Sequence, residues 1–247
     1  MDSARPENFE PALNHRPASL RQTTGRAGQN EVSGVKILKM GIVEHEVVDT
    51  EMRRLQKLRI AGDIPDTMIL VEHPEVVTIG PRARKEGIVI PNGYASRPVD
   101  RGGGLTWHGP GQVICYPIIE WQREGEAHVG KIISLIEGWI ISALGELGIS
   151  ARCDERMRGV WVGENKIASI GLSFFHWTSR HGFTINYDTP SGRLEEISGC
   201  GLESQVTTSL SALGHRVSKG QIHDALISTV SSINREITES ESQVDSN

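Results

Sequence analysis

Between Gly159 and Tyr187 three runs that read as strands, GVWVG (159–163), KIASIGLSF (166–174) and HGFTINY (181–187), are separated by only two and then six residues. A crossover between parallel strands takes about a dozen residues or more, so runs this close pair as antiparallel hairpins. Upstream, KILKMGIV (36–43), TMILVEH (67–73) and VICYPII (113–119) are apolar and β-branched enough for strands, the second stopped by Pro74. Two stretches carry the other period. HEVVDTEMRRLQKLRIAG (45–62) sets Val48, Met52, Leu55 and Leu58 near helical spacing. HVGKIISLIEGWIISALGELGI (128–149) puts Ile132, Leu135, Ile136, Trp139, Ile140, Leu144 and Leu147 on one face and ends near Gly148. A last helix is predicted from about Lys219 to Ile237. Helices and strands interleaved around an antiparallel portion define an α/β (α+β) chain.

The ends read differently. Residues 1–34 are rich in Pro, Asn, Gln, Gly, Ser and Arg, and 238–247 (TESESQVDSN) are similarly polar. Neither segment can bury enough apolar surface to offset its ordering entropy, so both are expected to be disordered tails. Residues 35–237 hold no linker or repeat and form one expected domain. A net charge of -5 disfavours nucleic acid or an anionic membrane as partner, and no run is apolar enough to span a bilayer. The start of the chain fits neither a signal peptide nor a transit peptide. Three widely spaced cysteines make no disulfide framework, so reduced thiols and a cytoplasmic location are expected.

The chemistry-bearing stretch is RGGGLTWHGPGQ (101–112), five of whose twelve residues are glycine. It matches neither common phosphate-loop template and leads into a strand, leaving no helix N-terminus for an anion. Trp107 and His108 would give a pocket an aromatic wall and a polar head, although His108 reads equally well as a structural histidine. Among the cysteines, Cys115 lies in an apolar run and reads as a small hydrophobe, and Cys153 sits among charges. Cys200, in ISGCGLE, has glycine on both sides, which lets backbone approach a substrate and frees N–H groups to face it; plain turns look the same. A free thiol is only about 3% thiolate at pH 7, and lowering its pKa by ~1.5 requires roughly 2 kcal/mol of favourable interaction. Lys166 opens one of the strands, though beside Glu164 and Asn165 it reads locally as a surface lysine in a turn. His45-Glu46 lacks a second histidine at ligand spacing, and no metal site is expected.

Taken together, these pieces resemble one family. RGGGLTWHGPGQVICYPI carries the signature of the octanoyl-acyl-carrier-protein:protein N-octanoyltransferases, also called lipoyl(octanoyl) transferases, at Arg101, Gly102, Gly103, Thr106, Trp107, His108, Gly109, Pro110, Gly111, Gln112 and Tyr116. Lys166 in NKIASIG, the HGF triplet (181–183) and Cys200 match further family positions; Ser198-Gly199 stands where the family has proline ahead of the cysteine. The resemblance covers about 35–236. It implies the fold of biotin and lipoate protein ligases, a mixed sheet flanked by helices plus a smaller sheet. It implies transfer of an octanoyl or lipoyl group from acyl carrier protein to a lysine of a lipoyl domain, the first step of protein lipoylation. Acceptors would be 2-oxoacid dehydrogenase E2 subunits and the glycine cleavage H protein. Cys200 would be the acyl-thioester nucleophile and Lys166 the residue that lowers its pKa. Substrate contacts would come from Arg101, Gly102, Gly103, Gly104, Leu105, Thr106, Trp107 and His108, from Ser169, Ile170 and Gly171, and from Gly182, Phe183 and Thr184. A thioester is already activated, so no cofactor is expected. An eight-carbon chain calls for a narrow apolar tunnel. Acidic partners call for a basic rim, either Arg82, Arg84 and Lys85 or Arg152, Arg156 and Arg158. The rivals are an ATP-dependent lipoate or biotin ligase on the same fold, a non-catalytic carrier-protein binding module, and a thiol hydrolase.

Overall fold

The computed structural model describes residues 34–90, 92–155, 157–198 and 206–242. Strand β1 (Val35–Ile42) is followed by helix α1 (His45–Ala61), which buries Val48, Met52 and Leu55 and stops where Gly62 takes a left-handed φ of 83°. After β2 (Asp66–Glu72) come four short elements: β3 (Val76–Ile79), α2 (Pro81–Glu86), β4 (Ser96–Pro98) and β5 (Leu105–His108). Strand β6 (Gln112–Ile118) leads to α3 (Val129–Glu146), whose first turn is capped by the His128 side chain accepting from Lys131 N. The three close runs become β7 (Val160–Val162), β8 (Asn165–Phe175) and β9 (Thr178–Asn186). A short α4 (Arg193–Ser198) precedes α5 (Lys219–Ser228), which opens on a Ser218–Gln221 capping box, and a final strand, β10 (Ile237–Ser242).

Seven strands form one sheet in the order β10-β1-β2-β6-β9-β8-β7. Its first three strands run parallel, with the 17 residues of α1 as the crossover between β1 and β2. From β2 to β7 every pairing is antiparallel, as the short connections required for β7, β8 and β9. A second sheet, β4-β3-β5, completes the mixed-sheet-plus-smaller-sheet architecture that the resemblance implied. Alternation along β6 divides the interior in two. Val113 and Cys115 face α3 and α5, where Ile132, Ile136, Trp139 and Ile140 pack; Ile114, Tyr116 and Ile118 face α1. The described residues fall within one compact unit.

Two expectations fail at the C-terminus. The helix expected to reach Ile237 ends at Ser228, followed by a 3-10 turn (Val230–Ile233) and by Asn234 in a left-handed conformation, φ 56°. The burial of Ile222, Leu226, Val230 and Ile233 keeps a helix-like spacing across the break, so the pattern hides it. The expected tail is also corrected over 238–242, which belong to β10. Backbone pairing as the edge strand beside β1 needs no apolar side chains, and Lys36 adds ion pairs to Glu239 (3.6 Å) and Glu241 (2.8 Å). Among the described residues no helix is long and apolar enough to cross a membrane.

Candidate active site

Strands β6, β9 and β8 present one row of side chains toward α1 and the small sheet. Ile114 stands opposite Thr184, which stands opposite Ser169; Gln112 pairs with Asn186, and Gly182 with Gly171. Over this floor lies the glycine-rich stretch. Gly102 N donates to Leu172 O at 2.9 Å, and a Cβ on Gly171 would come within 3.0 Å of Gly102 O and of Arg101 Cδ. Gly182 is equally constrained, because a Cβ there would stand 2.0 Å from Cys115 O. These glycines let backbone pass close to backbone.

The space between is a cavity of about 300 Å³. All fourteen positions named as substrate contacts line it, residues 101–108, 169–171 and 182–184, and so does Lys166. Ile170 and Phe183 reach the wall while their side chains pack in the α3 core, Phe183 edge-on to Trp139 at 5.3 Å. Trp107 is buried against Leu194 and Ile197 of α4, with Nε1 donating to Glu75 at 2.9 Å.

Lys166 is 3% exposed, so the surface-turn reading of its local sequence is wrong. The cause is a bulge. Trp161 pairs with Lys166 and Val160 with Ala168, two residues of β8 against one step of β7. Ile167 and Ala168 therefore both sink into the α3 core, and Lys166 lines the cavity together with Ser169. Residues 206–208 run beside it, with Lys166 N donating to Val206 O (2.8 Å) and Thr208 N to Lys166 O (2.9 Å). Gly159 (φ 126°) completes the setting, since a Cβ there would lie 2.6 Å from Lys166 Cε. Its N–H is held at 2.9 Å by Glu137, a buried carboxylate on α3.

Cys200 lies outside the described residues, but Ile197 and Thr207, on either side of its segment, both line the cavity. The other two cysteines are not activated. Burial pushes the Cys115 thiol far up, and burial together with Glu137 raises that of Cys153.

Sequence reasoning missed several groups at this cavity. His45, Thr78 and Asn186 also line it, as do Tyr116 and His181, which the family signature marked without a role, and His73 joins Tyr116 OH at 2.9 Å behind the wall. The signal was there: Asn186 and Thr184 share a strand face, as do Gln112, Ile114 and Tyr116. Arg101 donates to Thr78 O (3.0 Å) and Thr78 Oγ1 (2.8 Å), so it braces the small sheet against the loop. His181 Nε2 meets Asp100 Oδ1 at 2.8 Å, and Asp100 also pairs with Arg180. Burial holds His45 and His73 down at about 4 and His108 well below its usual range, with neighbouring His73, His45 and Arg101 adding to the effect at His108. Burial thus disfavours the charged form of His45, His73 and His108. The wall is thus mixed in polarity, not the wholly apolar tunnel expected, because the hydrogen bonds that fix the loop and the small sheet face inward.

The basic rim is thinned as well. Arg84 donates to Ile79 O and Val99 O, and Arg152 pairs with Asp154 and Glu164. Arg156 lies outside the described residues. Arg82 and Arg158 line the cavity, the latter bound to Glu137 at 3.2 Å. No group of three or more His, Cys, Asp or Glu side chains among the described residues could hold a metal ion.

A mixed sheet roofed by a glycine-rich loop and a small sheet is the architecture of lipoate-ligase catalytic domains. The Thermoplasma acidophilum protein Ta0514, a putative lipoate protein ligase solved with bound lipoic acid, shares the fold at a TM-score of 0.61, with 16% identity over 86% of this chain and 90% of its own. A lipoate-protein ligase A solved with ATP aligns at 0.59, with 14% identity over 86% and 90%. A sequence model of the lipoyl protein ligase A/B catalytic domain matches residues 50–231. The octanoyltransferase of Syntrophobacter fumaroxidans is 35% identical over 197 residues, 77% of this chain and 86% of the relative; that of Caldicellulosiruptor saccharolyticus is 38% identical over 192 residues, 74% and 81%. The chain belongs to the lipoyl protein ligase A/B catalytic domain family and, within it, to the octanoyltransferases.

Proposed function

We propose that this transferase moves an octanoyl or lipoyl group from acyl carrier protein to a lysine of a lipoyl domain through a thioester on Cys200. The observation that carries this reading is the convergence of Lys166, all fourteen substrate-contact positions and both described flanks of the Cys200 segment on one cavity. Cys115 and Cys153 are kept as thiols by their surroundings, burial disfavours charge on His45 and His108, and the cavity arginines do not give up a proton, so Lys166 is the lining base suited to exchange a proton with a thiol.

Lys166, as the amine, takes the Cys200 proton, and the thiolate attacks the carbonyl of the donor thioester. The bond from acyl carbon to carrier sulfur breaks, and the departing thiolate recovers the proton from the Lys166 ammonium. In the second half the acceptor lysine attacks as a neutral amine and loses a proton to Lys166, while the Cys200 thiolate leaves. Backbone N–H groups of the glycine-rich loop and of Gly201 are the candidates for stabilising the oxyanion. No step consumes ATP. The acceptors are lipoyl-domain proteins such as 2-oxoacid dehydrogenase E2 subunits and the glycine cleavage H protein, the location is the cytoplasm, and the mouth of the cavity, with Arg82 and Arg158, receives acidic partners.

Transfer from octanoyl-acyl carrier protein to a lipoyl domain, assayed without ATP, tests the reading. The wild type is expected to turn over and Cys200→Ser to be inactive. A requirement for ATP, or full activity in Cys200→Ser, would overturn it in favour of a ligase.

A further inference from the structure

Along the cavity wall runs a chain of hydrogen bonds that the transfer steps do not use. Gln112 and Asn186, 1% and 2% exposed, are its centre. Gln112 Nε2 donates to Trp107 O (3.2 Å) and to Asn186 Oδ1 (2.8 Å), which fixes Oε1 as the acceptor from His108 Nδ1 (2.8 Å). His108 Nε2 in turn faces Thr78 Oγ1 at 3.2 Å, the atom that Arg101 also binds. On the other side Asn186 Nδ2 donates to Thr208 O (3.1 Å), and Asn186 O accepts from Leu210 N (2.9 Å). The chain therefore starts at the glycine-rich loop and ends on the segment that bridges to the Lys166 backbone.

Only a primary amide fits the central position, because it must accept from Gln112 and donate to Thr208 at once. Leaving either partner unpaired in a buried site is costlier than the bond itself is stabilising. We infer that Asn186, held by Gln112, is a positioning residue that sets segment 206–208 against Lys166, and so governs how Lys166 meets the thiol it activates. The inference rests on the transfer reading above.

The test is the pH dependence of iodoacetamide alkylation at Cys200, read by peptide mass, together with kcat and KM for octanoyl-acyl carrier protein. In Asn186→Ala the alkylation midpoint moves to higher pH and kcat falls about ten- to a hundredfold, while KM for the donor stays within about threefold. Asn186→Asp keeps the size and the acceptor but loses the donor to Thr208; it shows the same upward shift and serves if the alanine variant does not fold. An unmoved midpoint with activity lost only in proportion to the folded fraction overturns the inference. Lys166→Ala is measured alongside. A shift there without one in the Asn186 variants overturns this inference and leaves the transfer reading standing. No shift in Lys166→Ala removes Lys166 from its role, and this inference with it.

Discussion

Lys166 owes its place to an irregularity of β8 and not to the strand period. Without the bulge between Lys166 and Ala168 its side chain would point away from Ser169; with it, both line one cavity. The lysine itself was legible only through the family resemblance, because its neighbours Glu164 and Asn165 look like an exposed turn. Two adjacent buried residues, Ile167 and Ala168, are the only local trace of the bulge. Replacing Lys166 with alanine is expected to slow acylation roughly a hundredfold or more, read as the rate of octanoyl gain on Cys200. Wild-type reactivity of Cys200 toward iodoacetamide in that variant would remove Lys166 from its role. Gly159→Ala acts on the same side chain from outside. At φ 126°, with Ala168 O only 2.3 Å from the added Cβ, it is expected to cost about 1–3 kcal/mol and to lower the alkylation rate of Cys200. Denaturant midpoints and alkylation rates measured together check both effects; a wild-type alkylation rate would show that Lys166 does not depend on this contact.

Among the elements, the long ones could be read, and of the short strands only β7, which sits between glycines beside β8. Helix α3 and strands β2, β6, β8 and β9 carry enough residues for the apolar period to declare itself. The small sheet escaped because β4 has three residues, all exposed, and β3 and β5 have four each. Strand β10 escaped for another reason: ITESES is polar, and its partner supplies the order. Just before it, Arg235 is 1% exposed and binds Asp66 (2.9 Å), Glu126 (2.8 and 3.0 Å) and Glu120 O (3.0 Å), with its guanidinium 5.3 Å from the Trp121 ring. Arg235→Met would take the cation from the buried Glu126 and one of two from Asp66, which keeps Arg59 at 2.7 Å, and is expected to destabilise by about 3–5 kcal/mol. Urea unfolding measures it; a loss below about 1 kcal/mol would mean that the cluster relaxes into solvent.

Taken whole, the molecule stores a pH dependence in its neutral histidines. His45 and His73, 5% and 0% exposed, are held at about 4 by burial, against about 6.5 in the unfolded chain. Between those limits the unfolded state binds more protons. The stability they contribute is complete above pH 6.5 and is lost as pH falls toward 4, at a slope approaching 1.4 kcal/mol per pH unit for each. Asp100, lowered chiefly by its bond to His181, titrates at still lower pH and leaves this window clear. Denaturation at about pH 7.5, 5.5 and 4.5 tests the sign; stability that is flat or rising on acidification would contradict the buried neutral state.

The central claim is that an acyl group rests on Cys200 between donor and acceptor, and the intact mass of the protein after incubation with octanoyl-acyl carrier protein alone tests it most directly. The account predicts one added octanoyl group on the wild-type chain, mapped to Cys200, discharged by a lipoyl domain and absent from Cys200→Ser. A wild-type chain that transfers octanoate yet never gains that mass, or a Cys200→Ser chain that gains it elsewhere, would contradict it.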